Sequence, residues 1–132
     1  MVKLFYLIAV GVAGFGLIMM IQESGRKVIS TKEVYELMQK DTNVVVLDVR
    51  TPAEYRGELG HVKGSILIPV QELEGRLHEL EPFRNKTILA ICRSGNRSSR
   101  AATLLNEKGF KALNVEGGML KWNKEKLPVE KE

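Results

Sequence analysis

The sequence has very few residues of the types that form disulfides or act as catalytic bases. Its 132 residues include one cysteine and two histidines. A single cysteine has no disulfide partner within the chain, and a lone thiol suits a reducing compartment. His61 and His78 are the only candidate bases for a cysteine–histidine pair. We expect His61, in a glycine-rich loop, to form local hydrogen bonds and His78 to lie on an exposed helical face.

Segregated charge is also missing. The formal net charge is +4, but basic and acidic residues are interspersed along the chain. No basic stripe with interleaved aromatic residues is present, so we predict no nucleic-acid partner. The small positive excess would help to attract small anions to a cleft.

Charged residues are absent from an apolar run of eighteen residues at positions 4–21. As a helix this run would cover about 27 Å, close to the thickness of the hydrocarbon core of a bilayer. It lacks the polar stripe of a core helix, and no small-x-small cleavage site follows it closely. We therefore predict a membrane anchor at 1–22, a linker at 23–27 and one domain at 28–130.

The orientation of this anchor can also be predicted. Lysine and arginine residues are more frequent after the span than before it, which favours a single-pass membrane protein with its C-terminal domain on the cytoplasmic side. The spacing of Ala9 and Ala13 would allow two anchors to pair as a weak homodimer.

Strand-like and helix-like segments alternate five times beyond residue 28. Capping boxes at Ser30–Glu33 and Thr51–Glu54 predict two helix starts. This alternation is typical of an α/β fold with a mainly parallel sheet and helices on both faces. The predicted strands are 28–29, 44–49, 65–68, 87–91 and 111–115, and further helices are predicted at 71–80, at 98–108 and around Trp122, which we expect to be a core anchor.

Cys92 directly follows a predicted strand and precedes a predicted helix, so it falls at the carboxyl edge of the sheet where ligands bind. A helix start favours anions and lowers the pKa of a thiol. Arginines flank this loop, so we expect Cys92 to be reactive rather than buried. Asp48 and Arg50 end a second strand and are expected to share this rim, either as a structural pair or at the substrate mouth.

Three chemistries place a cysteine in such a loop. Phosphoryl transfer uses Cys-x5-Arg, whereas only four residues separate Cys92 from Arg97. A cysteine–histidine site would need His61 or His78 as its base. Sulfur transfer through an anionic persulfide needs no base if the thiol pKa is already low, and loop N–H groups stabilise such an anion. The third chemistry fits the loop best.

The chain from about Val28 to Glu130 resembles a single rhodanese (sulfurtransferase) domain. Five motifs in order carry the resemblance: 47–55 (LDVRTPAEY), 60–69 (GHVKGSILIP), 92–98 (CRSGNRS), 117–122 (GGMLKW) and 127–130 (LPVE). Lys126 departs from the pattern, because glycine usually stands there.

The resemblance implies an α/β fold with a central five-stranded, mostly parallel sheet. It implies that Cys92 is the nucleophile that carries the persulfide. The anion-binding loop would consist of Arg93, Ser94, Gly95, Asn96 and Arg97, whereas Asp48, Arg50 and His61 would be structural residues near the site. The basic Arg93 favours thiosulfate or another anionic donor over mercaptopyruvate. No cofactor and no metal are expected.

Two functional hypotheses follow. The first is an enzyme that moves sulfur from thiosulfate through Cys92 to a thiol or cyanide. The alternative is a membrane-tethered persulfide carrier or interaction module that serves a protein partner, with little turnover of small molecules.

Overall fold

The computed structural model describes residues 25–40 and 43–132. Within these ranges no helix combines the length and the apolar character that crossing a bilayer requires. The predicted anchor at 1–22, and the homodimer through it, lie outside the described residues.

The described residues form an α/β fold around one sheet of five parallel strands. The strand order is β1-β5-β4-β2-β3. The strands are β1 (Val28–Ile29), β2 (Val44–Asp48), β3 (Ile66–Leu67), β4 (Thr87–Ile91) and β5 (Lys111–Val115), and the helices are α1 (Thr31–Lys40), α2 (Pro52–Tyr55), α3 (Asn96–Glu107) and α4 (Gly118–Lys124). The predicted sheet is confirmed.

Alternate residues of the three central strands, β2, β4 and β5, supply two apolar cores, one on each face of the sheet. Leu89 and Ile91 of β4 face the core that contains Trp122, while Ile88 and Ala90 face the core under α3. Trp122 is the core anchor that the sequence predicts, and its Nε1 donates to the Pro128 carbonyl at 3.0 Å. The apolar residues 88–91 of β4 follow one another without a break because the strand is buried on both faces.

Both predicted capping boxes are present. The Glu33 N–H donates to Ser30 Oγ at 3.1 Å, and the Ser30 N–H donates to the Glu33 carboxylate at 3.1 Å. The equivalent pair of bonds joins Thr51 and Glu54 at the start of α2. This second box fixes the direction of the Glu54 carboxylate, which matters for the site below.

The segment predicted as an α-helix at 71–80 is instead two 3-10 segments, Val70–Glu72 and Glu74–Phe83. The backbone leaves helical geometry at Arg76. Gly75 is a poor helix former, and Pro82 lacks the N–H that an α-helical hydrogen bond needs. Burial of Leu73 and Leu80 holds the segment on the sheet without a regular α-helix.

Lys126 adopts a left-handed backbone conformation with φ of 59°. This is the position at which the resemblance leads one to expect glycine. A side chain in this conformation costs about 1 kcal/mol or more, because its Cβ approaches the backbone. The turn that follows α4 is kept, since the Leu127 N–H donates to the Trp122 carbonyl at 3.2 Å.

Candidate active site

The site lies where two neighbouring strands end. Asp48 of β2 pairs in register with Ile91 of β4, so Cys92 emerges beside the segment that follows Asp48. The Val49 N–H donates to the Ile91 carbonyl at 3.0 Å and extends this pairing by one step. The rim shared by Cys92, Asp48 and Arg50 is therefore a consequence of parallel pairing.

Cys92 is only 1% exposed, so the expectation that it escapes burial is wrong. The loop folds back over the sulfur and leaves Arg93, Ser94 and Asn96 exposed in its place. Gly95 makes this fold possible, because its φ of 118° is a conformation that side-chain-bearing residues rarely adopt. The Gly95 N–H then donates to Cys92 Sγ at 3.1 Å.

Helix α3 starts two residues earlier than predicted, at Asn96, with Gly95 as its N-cap. This places Ser98 in the first turn, where its side chain is buried against the sulfur. Ser98 Oγ lies 3.3 Å from Cys92 Sγ and 2.6 Å from Asn114 Oδ1. A hydroxyl has one proton, so Ser98 can serve either the sulfur or Asn114 at a given moment.

Two opposing effects act on the pKa of the Cys92 thiol. Burial is the larger single effect and raises the pKa, because it penalises the thiolate. The Ser98 hydroxyl and the N–H groups of Ser98, Gly95 and Ser94 lower it, and together they outweigh burial. The net result is a pKa below the usual thiol value, produced mainly by these aligned donors, and the thiolate also interacts with the Arg97 guanidinium.

Removal of the Ser98 hydroxyl is expected to raise the pKa of Cys92. A Ser98→Ala variant loses a donor to the thiolate and keeps the burial, so the thiolate forms only at higher pH. The pH dependence of Cys92 alkylation measures this, and its midpoint should move to higher pH. Ser99→Ala is the matched control, since Ser99 is an exposed neighbour on α3. An unchanged midpoint in Ser98→Ala would contradict this account of the thiol.

Helix α4 binds the backbone of the cysteine loop. The Met119 and Leu120 N–H groups donate to the carbonyls of Cys92 and Arg93, at 2.9 and 3.0 Å. Gly118 allows this approach, since a Cβ there would lie 2.5 Å from the Cys92 oxygen and 2.6 Å from the Arg93 oxygen. The sequence marks Gly117–Gly118 as a motif but does not reveal this contact.

Arg97 is paired with Glu54 of α2. Its two terminal nitrogens donate to the two carboxylate oxygens at 2.7 and 2.8 Å. The Arg97 bonds, helped by the Thr51 N–H and hydroxyl, outweigh burial and lower the pKa of Glu54 to about 2. Glu54 is therefore ionised at neutral pH. The guanidinium predicted to bind a donor anion thus already has a carboxylate partner, which sequence analysis missed.

Asp48 and Arg50 form the ion pair expected of them. Both are buried, and Arg50 Nη2 lies 2.7 Å from Asp48 Oδ2. The same guanidinium donates to the Glu54 and Gly60 carbonyls at 3.2 and 2.8 Å. Arg50 therefore ties β2, α2 and the Gly60 loop together, and this supports the structural reading of the pair.

Neither histidine is bonded to Cys92 in the part of the chain that the structure describes. His61 Nδ1 lies 2.9 Å from the Tyr55 carbonyl oxygen, and its ring stacks on Tyr55 with centroids 3.7 Å apart. His78 is exposed, as predicted. In residues 25–40 and 43–132, no hydrogen bond joins either histidine to Cys92. Cys92 as the nucleophile and 93–97 as the anion-binding loop stay predictions.

Comparison with known proteins gives consistent matches. A family model described as "Rhodanese-like domain" matches residues 30–125. The chain is 34% identical over 102 residues to the Bacillus subtilis protein named putative sulfurtransferase YtwF, covering 77% of this chain and 95% of that protein. It is 36% identical over 73 residues to the Escherichia coli protein named thiosulfate sulfurtransferase PspE, covering 55% and 68%.

Among solved structures, the crystal structure of a rhodanese-related protein from Thermoplasma volcanium matches with a TM-score of 0.72. The sequence identity is 37%, and the match covers 80% of this chain and 99% of that chain. The family match includes the Cys92 loop.

Proposed function

Because the chain belongs to the rhodanese-like domain family, we propose that it transfers a sulfane sulfur through a persulfide on Cys92. The donor is thiosulfate or a related anionic sulfane compound, and the acceptor is a thiol or cyanide. The observation that carries the proposal is the set of donors aimed at one buried sulfur: the Gly95 N–H at 3.1 Å and the Ser98 hydroxyl at 3.3 Å.

The first step is attack of the Cys92 thiolate on the outer sulfur of thiosulfate. A new S–S bond forms, the S–S bond of thiosulfate breaks, and sulfite leaves with the electron pair. Cys92 then carries a persulfide anion. Loop N–H groups that stabilise the thiolate stabilise this longer anion too, because they are fixed before the reaction starts.

The second step returns the enzyme to its starting state. An acceptor thiolate or cyanide attacks the outer sulfur of the persulfide, and the bond between the two sulfurs breaks. Cys92 leaves as a thiolate, and the acceptor carries the sulfur as a persulfide or as thiocyanate. A low pKa of Cys92 helps both steps, since the thiolate is the nucleophile first and the leaving group second.

Arg93 is the cation most open to the donor. It is exposed, whereas Arg97 is bound to Glu54. We assign initial binding of the anionic donor to Arg93 and the support of the loop to the Arg97–Glu54 pair. Neither role needs a general base. This agrees with the absence, in the described residues, of a hydrogen bond between Cys92 and either histidine.

The donor assignment is tested by steady-state kinetics of the full chain with thiosulfate and with 3-mercaptopyruvate. We expect a higher kcat/KM for thiosulfate. Arg93→Ala should lower that value about tenfold or more, because a charge-assisted contact to the donor is lost. Arg100→Ala is the matched control, because Arg100 is also an exposed arginine but lies on α3, outside the cysteine loop. Preference for 3-mercaptopyruvate would contradict the donor assignment.

A protein acceptor is a second candidate, favoured by the exposed Leu120, whose N–H is bonded to the loop of Cys92. If the acceptor is a protein, we propose that the anchor at 1–22 holds the domain at the cytoplasmic face of a membrane. Support for the anchor comes from the uncharged run at 4–21. A reporter fused after Glu132 that is active only in the cytoplasm tests the orientation, and lack of its activity would contradict it.

A further inference from the structure

One open depression beside the active-site loop has a distinctive lining. It has a volume of about 620 Å³ and is lined by Ser94, Gly117, Leu120, Lys121, Lys124 and Glu125. We call it the α4 groove. Ser94 belongs to the cysteine loop, and the remaining residues come from α4 and its ends. The groove therefore starts at the catalytic loop and runs away from it along one helix.

Two cations, Lys121 and Lys124, line this groove, and Arg93 lies beside Ser94 in the adjoining loop. In the part of the chain that the structure describes, Arg93, Lys121 and Lys124 take part in no ion pair. Arg97, by contrast, is neutralised by Glu54. Glu125 is the one acidic residue in the lining, and it accepts a hydrogen bond from Thr31. The lining thus holds two lysines against one carboxylate, so the groove carries a net positive charge.

Leu120 adds an apolar feature to the same surface. It is 40% exposed, and the other large hydrophobic residue described as exposed is Val28 in β1. Its backbone is fixed, because its N–H donates to the Arg93 carbonyl at 3.0 Å. An exposed apolar side chain beside Lys121 is more than the binding of a donor of a few atoms requires. It fits a polypeptide whose acidic residues meet the lysines while an apolar side chain covers Leu120.

We infer that the α4 groove is the docking surface for an acidic segment of the protein that accepts sulfur from Cys92. This inference rests on the proposed function, and it adds the chemistry of the acceptor. With the segment docked, an acceptor thiolate reaches the outer sulfur of the Cys92 persulfide. The new S–S bond forms on the acceptor, the persulfide bond breaks, and Cys92 leaves as a thiolate.

The test uses three short peptides of equal length, each with one cysteine, flanked by acidic, neutral or basic residues. The full chain is first loaded with thiosulfate and its persulfide is verified by mass. The rate of sulfur transfer to each peptide is then measured at low ionic strength. We expect the acidic peptide to react about tenfold or more faster than the neutral one, and the basic one to be slowest. Added salt should reduce these differences.

Charge reversal on α4 locates the effect. In Lys121→Glu/Lys124→Glu, the ratio of acidic to neutral peptide rates should fall to about one or below. This ratio cancels any change in loading or in Cys92 reactivity. Lys108→Glu/Lys111→Glu is the matched control, because both lysines are exposed near the opposite edge of the sheet, and it should keep the ratio.

The possible failures are distinguishable. Absence of a persulfide on Cys92 would overturn the proposed function itself. A normal persulfide with equal rates for the three peptides would overturn only the docking surface. A preference for the acidic peptide that survives charge reversal at 121 and 124 would move the docking site elsewhere and would equally overturn the inference.

Discussion

Replacement of Cys92 by serine is expected to lower thiosulfate turnover by at least about a thousandfold. Serine keeps the shape of the side chain, but its hydroxyl does not ionise near neutral pH and cannot form a persulfide. The donors at Gly95 and Ser98 would still surround the side-chain atom. The measurement is the rate of thiocyanate formation from thiosulfate and cyanide by the full chain.

The size of this effect is meaningful because Cys92 is the only cysteine in the chain. No second thiol can replace it. A thermal melt of Cys92→Ser serves as the control for folding, and we expect it to match that of the parent chain closely. Retention of more than about a tenth of the parent turnover would contradict persulfide formation on Cys92.

Replacement of Gly118 by alanine should destabilise the domain by about 2–4 kcal/mol and also slow sulfur transfer. The new Cβ would lie 2.5 Å from the Cys92 carbonyl oxygen, which is backbone and cannot rotate away. The positive φ of 57° adds conformational strain. This clash is relieved only if α4 moves away from the cysteine loop, so the hydrogen bonds from the Met119 and Leu120 N–H groups to the loop carbonyls would be lost.

Denaturant unfolding measures the stability of this variant, and the rate of persulfide formation measures the loop. Gly75→Ala is the matched control, since a Cβ at Gly75 would meet no atom within 4 Å beyond its own local backbone. We expect that variant to keep the parent stability or to gain slightly, as alanine favours helical conformations more than glycine. Parent-like stability and persulfide formation in Gly118→Ala would show that α4 does not hold the loop.

Features that depend on local patterns could be predicted from the sequence. The apolar run 87–91 predicts a buried strand, and the capping box at Thr51–Glu54 predicts a helix start. Since Cys92 follows the strand directly, its position at the carboxyl edge of the sheet also follows from sequence order. The predicted parallel sheet is confirmed, whereas the α-helix predicted at 71–80 is not.

Features that depend on contacts between distant residues could not be predicted in this way. Arg97 meets Glu54 across 43 residues, and Ser98 meets Asn114 across 16. The burial of Cys92 depends on the backbone angle of Gly95, which no periodicity reveals. The donors that lower the pKa of Cys92 are mostly backbone N–H groups, and their direction is set by the folded loop rather than by residue type.

The most direct test of the central claim is the intact mass of the full chain after exposure to thiosulfate and removal of small molecules. We predict an increase by the mass of one sulfur atom, located on Cys92, with release of one equivalent of sulfite. Treatment with a small thiol should return the original mass, and Cys92→Ser should show no increase. An unchanged mass in the parent chain, or the same increase in Cys92→Ser, would contradict sulfur transfer through Cys92.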